Sequence, residues 1–104
     1  MKILKYALLA IAVSAGPAMA IDTSILQKDQ AFSQMTITVH EGDLVRWGNA
    51  DTYTHNVTVK GDGTDYNLGV QKPGQILSYK FDDVGTYSVI CQIHPRMKML
   101  VKVL

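Results

Sequence analysis

Hydrophobic and polar residues alternate with a period of two along much of the chain after residue 34, as they do in strands that face a core on one side. The alternation predicts strands over residues 35–40, 44–47, 55–59, 76–81, 87–91 and 100–104. The segment Glu41-Gly42-Asp43 predicts a tight turn, and a looser segment is predicted over residues 64–74, where Pro73-Gly74 marks another turn. No segment shows helical periodicity over three turns, so the pattern predicts an all-β protein.

Short strands with turns at regular intervals favour an antiparallel sandwich or barrel. Residues 83–87, Asp-Val-Gly-Thr-Tyr, also fit a tyrosine corner. In that motif the tyrosine hydroxyl, here of Tyr87, bonds back to loop backbone at a Greek-key crossing. Trp47 is predicted to lie in the core, and His40 to face solvent, because it shares a strand face with Thr36 and Thr38.

The first twenty residues have the pattern of a secretory signal peptide. Lys2 and Lys5 form a basic start, residues 7–13 are apolar, and Ala18-Met19-Ala20 has the small-x-small pattern of a cleavage site. The apolar run is far short of the ~20 residues that a membrane span needs. We therefore predict a signal peptide over residues 1–20 and one exported domain over residues 21–104, with an uncleaved anchor helix as the alternative.

The composition of residues 21–104 argues against some classes of function. They carry eight basic and nine acidic residues, and no basic stripe suggests nucleic acid. A domain of this size is marginally stable unless disulfides or a metal support it. With Cys91 as their one cysteine, these residues cannot form an internal disulfide. A free thiol in an exported protein therefore indicates some other role for Cys91.

Cys91, His94 and Met97 follow one another at the end of a predicted strand in a Cys-x-x-His-Pro-x-Met segment. On another strand, His55 shares the core-facing side with Val57 and Val59. Two imidazoles and a thiolate in a plane, with a long axial thioether, describe a blue-copper electron-transfer site. The sequence therefore predicts one copper per chain.

Each of these residues has an ordinary explanation: a buried cysteine is often a small hydrophobe, a core histidine is often simply hydrogen-bonded, and methionine fills gaps. Their joint occurrence favours a metal site. Structural zinc seldom takes a thioether, and a dinuclear copper centre needs a second cysteine. A cysteine nucleophile needs a base and an oxyanion site, and the chain is short for a substrate cleft.

Four segments resemble the cupredoxins of the plastocyanin, amicyanin and pseudoazurin group: residues 30–39, residues 41–49 (Glu-Gly-Asp-Leu-Val-Arg-Trp-Gly-Asn), His55-Asn56-Val57, and Gly85-Thr86-Tyr87 through the ligand loop. The resemblance implies a Greek-key β-sandwich of about seven to eight strands. It implies that His55, Cys91, His94 and Met97 bind one copper, both histidines through Nδ1. It also implies that Asn56 joins the two ligand segments by hydrogen bonds and that the exposed edge of His94 passes the electron.

The chain departs from the family pattern at three places. Gln92-Ile93 stand where Ser or Thr followed by Pro is frequent, Thr54 replaces a frequent Pro, and Met99 stands where many relatives have Gly. Met97 has the axial spacing of amicyanin, whereas Met99 has that of plastocyanin and pseudoazurin. The His-Pro-x-Met run favours Met97.

The predicted function is that of a small, soluble, monomeric periplasmic protein that carries one electron as Cu(II)/Cu(I) between redox partner proteins. These partners would bind transiently around His94, since redox encounters have small interfaces. Because protein fills all four ligand positions, no enzyme activity, nucleic-acid binding or membrane span is predicted. One alternative is a copper chaperone or a copper storage or tolerance protein, with an exposed Cu(I) site. A metal-free adhesion or scaffold domain is another.

Overall fold

The computed structural model describes residues 20–61 and 63–104, and these residues form nine β-strands. The strands are β1 (Asp22–Lys28), β2 (Ala31–Phe32), β3 (Thr36–Val39), β4 (Asp43–Asn49), β5 (His55–Gly61), β6 (Thr64–Gln71), β7 (Ile76–Phe81), β8 (Gly85–Ile90) and β9 (Lys98–Val103). The predicted signal peptide lies outside the described residues, apart from Ala20. Within the described ranges, no helix is long and apolar enough to cross a membrane.

Two sheets pack into a sandwich, so the all-β prediction is confirmed. One sheet has the strand order β3-β9-β8-β5-β6, and the other has the order β2-β1-β4-β7. Nine strands are described rather than seven to eight, and β2 has only two residues. Most strand pairs are antiparallel, as the sequence predicted, but β3 pairs with β9 and β1 pairs with β4 in parallel, which it did not predict.

The predicted alternation places the core between the sheets. Val45 and Trp47 of β4 are fully buried, as are Val57 and Val59 of β5. Each fully buried side chain of this size contributes about 1.5–3 kcal/mol relative to exposure. The ring of Trp47 meets that of Phe81 edge-on, with centroids 6.5 Å apart.

Two local predictions are also confirmed. The hydroxyl of Tyr87 donates to the backbone oxygen of Asp83 at 2.9 Å, which is the bond of a tyrosine corner. His40 is exposed, at the end of β3, and takes no part in the histidine and cysteine cluster described below.

Residues 64–71 form the edge strand β6, where the sequence predicted a looser segment. Tyr66, Leu68 and Val70 alternate with Asn67 and Gly69, but Tyr66 and Val70 are exposed and Leu68 is only half-buried, so this alternation does not mark a side that faces the core. Its register with β5 also shifts between Val57 and Thr58, and Gly69 has a φ of 109°. A bulged edge strand that faces solvent is hard to recognise from its sequence pattern.

Residues 21 and 104 meet at one end of the sandwich, and the loop to His55 lies at the other. At one end, the Glu41 N–H donates to the Leu104 oxygen and the Leu104 N–H donates to the Val39 oxygen. The Ile21 N–H reaches the Asp43 carboxylate at the same turn. From Asp43, β4 runs about 20 Å to Asn49, given the ~3.3 Å rise of each strand residue. The loop that follows Asn49 leads to His55, at the opposite end.

Candidate metal centre

The structure brings His55, Cys91 and His94 together at one end of the five-stranded sheet. His55 is the first residue of β5, Cys91 directly follows β8, and His94 lies in the loop between β8 and β9. Their donor atoms all lie within 4.8 Å of one another. His55 and Cys91 are fully buried, and His94 is half-buried. Adjacent antiparallel strands and one loop therefore position the whole cluster.

The three donor atoms form a nearly equilateral triangle. The two Nδ1 atoms of His55 and His94 are 3.2 Å apart, and each lies 3.8 Å from the Cys91 Sγ. A point equidistant from all three atoms lies about 2.1 Å from each, close to the ~2.0–2.3 Å bonds that zinc, a metal of similar size to copper, makes with imidazole and thiolate. Two nitrogens and a sulfur at these distances fit a trigonal copper site.

The loop from Cys91 to Met97 is held by its own backbone hydrogen bonds. The His94 N–H donates to the Cys91 oxygen at 3.2 Å, and the Met97 N–H donates to the His94 oxygen at 2.9 Å. The Cys91 N–H closes the loop on the Met97 oxygen at 3.3 Å. Pro95 fixes one further backbone angle. Backbone hydrogen bonds thus close the loop without the proline that relatives often carry after the cysteine.

Asn56 connects the strand of His55 to the cysteine loop, as the resemblance implied. Its backbone N–H points at the Cys91 Sγ, 3.3 Å away. Its side-chain oxygen accepts from the Gln92 N–H at 3.1 Å and from the Thr58 hydroxyl at 2.8 Å. Its amide nitrogen donates to the Asn67 Oδ1 at 2.7 Å. Hydrogen bonds of this kind fix the position of a thiolate and tune its electron donation.

Gln92 makes a contact that the sequence did not predict. The Asn67 Nδ2 donates to the Gln92 Oε1 at 3.3 Å, and the Asn67 Oδ1 also accepts from the Gly69 N–H at 2.7 Å. Asn67 therefore joins edge strand β6 both to Asn56 and to the ligand loop. A departure from the family pattern at Gln92 is accommodated by a partner on a neighbouring strand.

Asp51 is the functional residue that sequence reasoning missed. Its Oδ2 lies 2.6 Å from the His55 Nε2, on the side of the ring opposite the donor triangle. The bond to a carboxylate places the imidazole proton on Nε2 and leaves the Nδ1 lone pair directed at the triangle. The spacing of four residues before His55 is the one signal in the sequence that could have indicated this pair.

Backbone N–H groups hold the Asp51 carboxylate in place. The Asp29 N–H donates to Oδ1 at 2.7 Å and the Gln30 N–H to Oδ2 at 3.3 Å. Asp29 and Gln30 have φ angles of 54° and 57°, a left-handed turn that directs successive N–H groups at an anion. Burial raises the pKa of Asp51, but the bonds from His55, Asp29 and Gln30 outweigh it and hold this pKa below its usual value. The carboxylate is therefore anionic at neutral pH.

The two candidate axial methionines have different surroundings. Both are almost fully buried. The Trp47 Nε1–H donates to the Met99 Sδ at 3.4 Å, so the sulfur of Met99 has a partner in the core. Met97 lies in the ligand loop itself, three residues after His94, and is bonded to His94 through its backbone.

Aromatic and apolar groups surround the exposed side of the cluster. The ring of Tyr53 packs edge-on against His55 and His94, with centroid distances of 5.4 and 5.6 Å. Ile93 and Pro95 are exposed on either side of His94, and they line a small cleft with it. Solvent or another protein can reach the cluster at His94, whereas Cys91 is covered.

Comparisons of the sequence with a family model and with known proteins agree on one family. The sequence model of "Copper binding proteins, plastocyanin/azurin family" matches residues 19–104. The chain is 33% identical over 90 residues to amicyanin-alpha of Methylorubrum extorquens, covering 84% of this chain and 74% of the relative. It is 29% identical over 82 residues to the chloroplast plastocyanin of Tetradesmus obliquus, covering 70% of this chain and 57% of the relative. The chain thus spans little more than half the length of that plastocyanin.

The fold likeness extends to a solved structure of low sequence identity. A purple cupredoxin from Nitrosopumilus maritimus superposes with a TM-score of 0.70 at 22% identity. The match covers 79% of this chain and 99% of that one. It confirms the cupredoxin-like Greek-key sandwich that the sequence predicted.

Proposed function

Because this chain belongs to the plastocyanin/azurin family of copper-binding proteins, we propose that it is a blue-copper electron carrier whose copper is held by His55, Cys91, His94 and Met97. The observation that carries the proposal is the triangle of two Nδ1 atoms and one Sγ, with its 3.2 and 3.8 Å sides. Copper supplies one-electron Cu(II)/Cu(I) chemistry at such a site.

Met97 is the proposed axial ligand rather than Met99. The hydrogen bond from the Trp47 Nε1 engages the sulfur of Met99, while Met97 belongs to the loop that carries Cys91 and His94. Moving the Met99 sulfur to a metal would leave the indole N–H without its partner in the core, a loss of about 1–3 kcal/mol. The local contacts therefore agree with the His-Pro-x-Met spacing.

The chain's own residues keep the donor set in one arrangement. Asp51 fixes the tautomer and ring plane of His55, and Asn56 directs a backbone N–H at the Cys91 sulfur. The closed Cys91–Met97 turn holds His94 relative to the thiolate. A ligand set that is held in place independently of the metal changes little between two oxidation states, which favours rapid electron transfer.

Electrons are proposed to enter and leave through the edge of His94. Exposed Ile93, Pro95 and Tyr53 surround this edge and offer a small apolar contact surface. Such a surface suits brief encounters between a monomeric carrier and larger redox proteins. Protein donors occupy all four proposed positions, so we propose no substrate site and no enzyme activity.

Export is part of the proposal. The segment before Ala20 has the basic start, apolar run and Ala18-Met19-Ala20 pattern of a secretory signal. We propose removal of residues 1–20 and a periplasmic location for the cupredoxin domain, residues 21–104. The lone thiol is compatible with that compartment when a metal occupies it.

The alternative function is that of a copper chaperone or storage protein, and the burial of the proposed sulfur ligands favours it less. Such a protein releases its metal readily from an exposed site. Here Cys91 is 0% exposed and Met97 is 1% exposed, so the fold would have to open before sulfur-bound metal left. Met35 is 79% exposed and lines a surface cleft with Arg96 and Met99, outside the Cys91–Met97 loop that carries the proposed ligands.

The test is the visible absorption and EPR spectrum of the exported protein after addition of Cu(II). We expect an intense thiolate-to-copper band and narrow copper hyperfine splitting, both lost in Cys91→Ser. His40→Ala is the matched control, because His40 is exposed and outside the cluster. Met97→Leu should change the spectrum and Met99→Leu should leave its form intact. A colourless protein that takes up only Cu(I) would support the chaperone, and one that binds no copper would support the scaffold.

A further inference from the structure

The Asp43 carboxylate lies where β4 begins, at the end of the sandwich away from the donor triangle. Its Oδ1 accepts from the Ile21 backbone nitrogen at 3.0 Å, and its Oδ2 accepts from the His40 N–H at 2.9 Å. Only 4% of Asp43 is exposed. The Ile21 carbonyl in turn accepts from the Leu44 N–H at 3.0 Å. Ile21 is therefore held at both its nitrogen and its oxygen, one residue before β1.

Ile21 is also the residue that follows the predicted cleavage motif Ala18-Met19-Ala20. Hydrolysis of the Ala20–Ile21 peptide bond by a signal peptidase consumes one water and gives an Ala20 carboxylate and an Ile21 α-amine. That amine takes up a proton at neutral pH, because an α-amino group has a pKa of about 7.7–8.0. The nitrogen that Asp43 already binds thus changes from a neutral amide to a cation.

We propose that Asp43 is the binding site for the new α-ammonium of Ile21, so that cleavage itself locks β1 onto β4. A charge-assisted hydrogen bond is about twice as strong as a neutral one. Before cleavage Asp43 holds Ile21 by a neutral hydrogen bond, and only in the processed chain does this bond become charge-assisted. The inference rests on the proposed processing after Ala20 and is independent of copper, because Asp43 lies at the opposite end of β4 from the donor triangle.

The surrounding charges allow this pair. A cleft beside it is lined by His40, Glu41 and Lys80 as well as by Ala20 and Ile21. Glu41 adds negative charge near the ammonium, and Lys80 is partly neutralised by Asp82, 3.5 Å away. The bonds from the His40 and Ile21 backbone lower the pKa of Asp43 more than burial raises it, so the carboxylate is anionic well below neutral pH.

The pair of Asp43 and the Ile21 ammonium should stabilise the fold only within a limited pH range. The neighbouring carboxylate raises the folded-state pKa of the ammonium, so this contribution to stability is complete below the unfolded value of about 7.7 and is lost as pH rises through the folded pKa. The pKa of Asp43 is lowered, so its contribution is present above its unfolded value of about 3.9 and is lost as pH falls through the folded pKa. The stabilisation by the pair is therefore greatest between about pH 4 and pH 7.5.

The test uses the full-length gene, and the exported protein is purified. Its mass should show a chain that starts at Ile21, and the Ile21 α-nitrogen should titrate in ¹⁵N NMR about one pH unit above 7.7. Asp43→Asn should return that pKa to its ordinary range. It should also speed hydrogen exchange at the Leu44 amide about tenfold.

A matched control moves the ammonium without touching Asp43. Insertion of Gly-Ser after Ala20 keeps the cleavage motif and places the new terminus two residues away from the carboxylate. This variant should show the same acceleration at Leu44 below pH 7.5, and the difference from the natural terminus should disappear above about pH 9.5.

Two results would overturn the proposal. One is a mature chain that does not begin at Ile21, and the other is an α-ammonium whose pKa is the same in the unmodified protein and in the Asp43→Asn variant. The copper spectrum is recorded on the same samples. A normal copper spectrum together with an unperturbed pKa of the Ile21 ammonium would contradict only the proposed pair of Asp43 and Ile21. A raised pKa of this ammonium without a copper spectrum would contradict only the proposed electron carrier.

Discussion

Asp51 determines how the His55 ring presents its nitrogen. Its carboxylate is 2.6 Å from Nε2 and is itself held by the N–H groups of Asp29 and Gln30. An anionic partner on the remote nitrogen increases the basicity of the metal-facing nitrogen. Since Cu(II) gains more from a basic imidazole than Cu(I) does, Asp51 should favour the oxidised state of the proposed site.

Asp51→Asn is therefore expected to raise the reduction potential and weaken Cu(II) binding. The loss of such outer contacts typically costs 10–100-fold in metal affinity. If the tenfold loss falls on Cu(II) alone, the potential rises by about 59 mV. Voltammetry and a Cu(II) competition titration measure the two effects. Asp22→Asn is the control, because the Asp22 carboxylate is exposed and pairs with Arg46 at the surface. Equal potentials in all three proteins would contradict the role given to Asp51.

At the scale of elements, the metal centre depends on how β5, β6 and the ligand loop are joined. Asn67 on β6 bonds to Asn56 on β5 and to Gln92 in the loop, and so links these two consecutive strands to a loop that follows Asn67 by 25 residues. Each such bond contributes about 0.5–1.5 kcal/mol when its groups are shielded from water. Asn67 is exposed, which places its contribution at the lower end of that range.

Asn67→Ala should lower the free energy of unfolding by about 1 kcal/mol and speed the loss of copper to a chelator, because the loop loses its attachment to β6. Urea unfolding and the decay of the visible band measure these effects. Asn67→Asp retains an oxygen for Asn56 and Gly69 but cannot donate to Gln92, so it should give an intermediate rate. If Asn67→Ala releases copper no faster than the unmodified protein, the loop does not depend on β6.

The sequence predicted those elements whose side chains alternate between core and solvent. Residues 76–81 were predicted as they are observed, and His55, Cys91 and His94 were predicted as neighbours because strand alternation turned two of them inward. β6 was missed because it is an edge strand with little buried surface. The parallel pairing of β1 with β4 and of β3 with β9 depends on long-range packing that no local pattern encodes.

Within the candidate metal centre, too, the sequence predicted what is close along the chain and missed what depends on long-range contacts. Cys91, His94 and Met97 are close in sequence, so their spacing carried the information. Asp51 and Asn67 act through hydrogen bonds that exist only after separate loops and strands meet. Polar residues in loops are common, and their partners cannot be identified before the fold is known.

At the scale of the whole molecule, the proposed domain over residues 21–104, which is 84 residues long, has a small core, and bound metal should contribute much of its stability. A ligand at one hundred times its dissociation constant stabilises the folded state by about 2.7 kcal/mol. A change of 1 kcal/mol moves the Tm of a domain this size by about 4–8 °C.

Copper loading should therefore raise the Tm by about 10–20 °C, and a chelator should reverse the change. Differential scanning calorimetry of the loaded and stripped protein measures it. Cys91→Ser should show little dependence on copper, while His40→Ala should behave like the unmodified protein because His40 lies outside the cluster. Identical Tm values for loaded and stripped protein would mean that copper does not bind within the fold.

The meeting of residues 21 and 104 at the turn between β3 and β4 has a further consequence. Both make hydrogen bonds to residues 39–43, so a short peptide could join them without crossing the sandwich. A version limited to residues 21–104 would therefore accept a linker between these two positions, with new termini opened in an exposed loop. Because β4 runs about 20 Å from this turn toward the end of the sandwich that carries His94, an anchor or fused domain attached at the turn would leave the proposed electron-transfer end free to meet an electrode or an engineered partner.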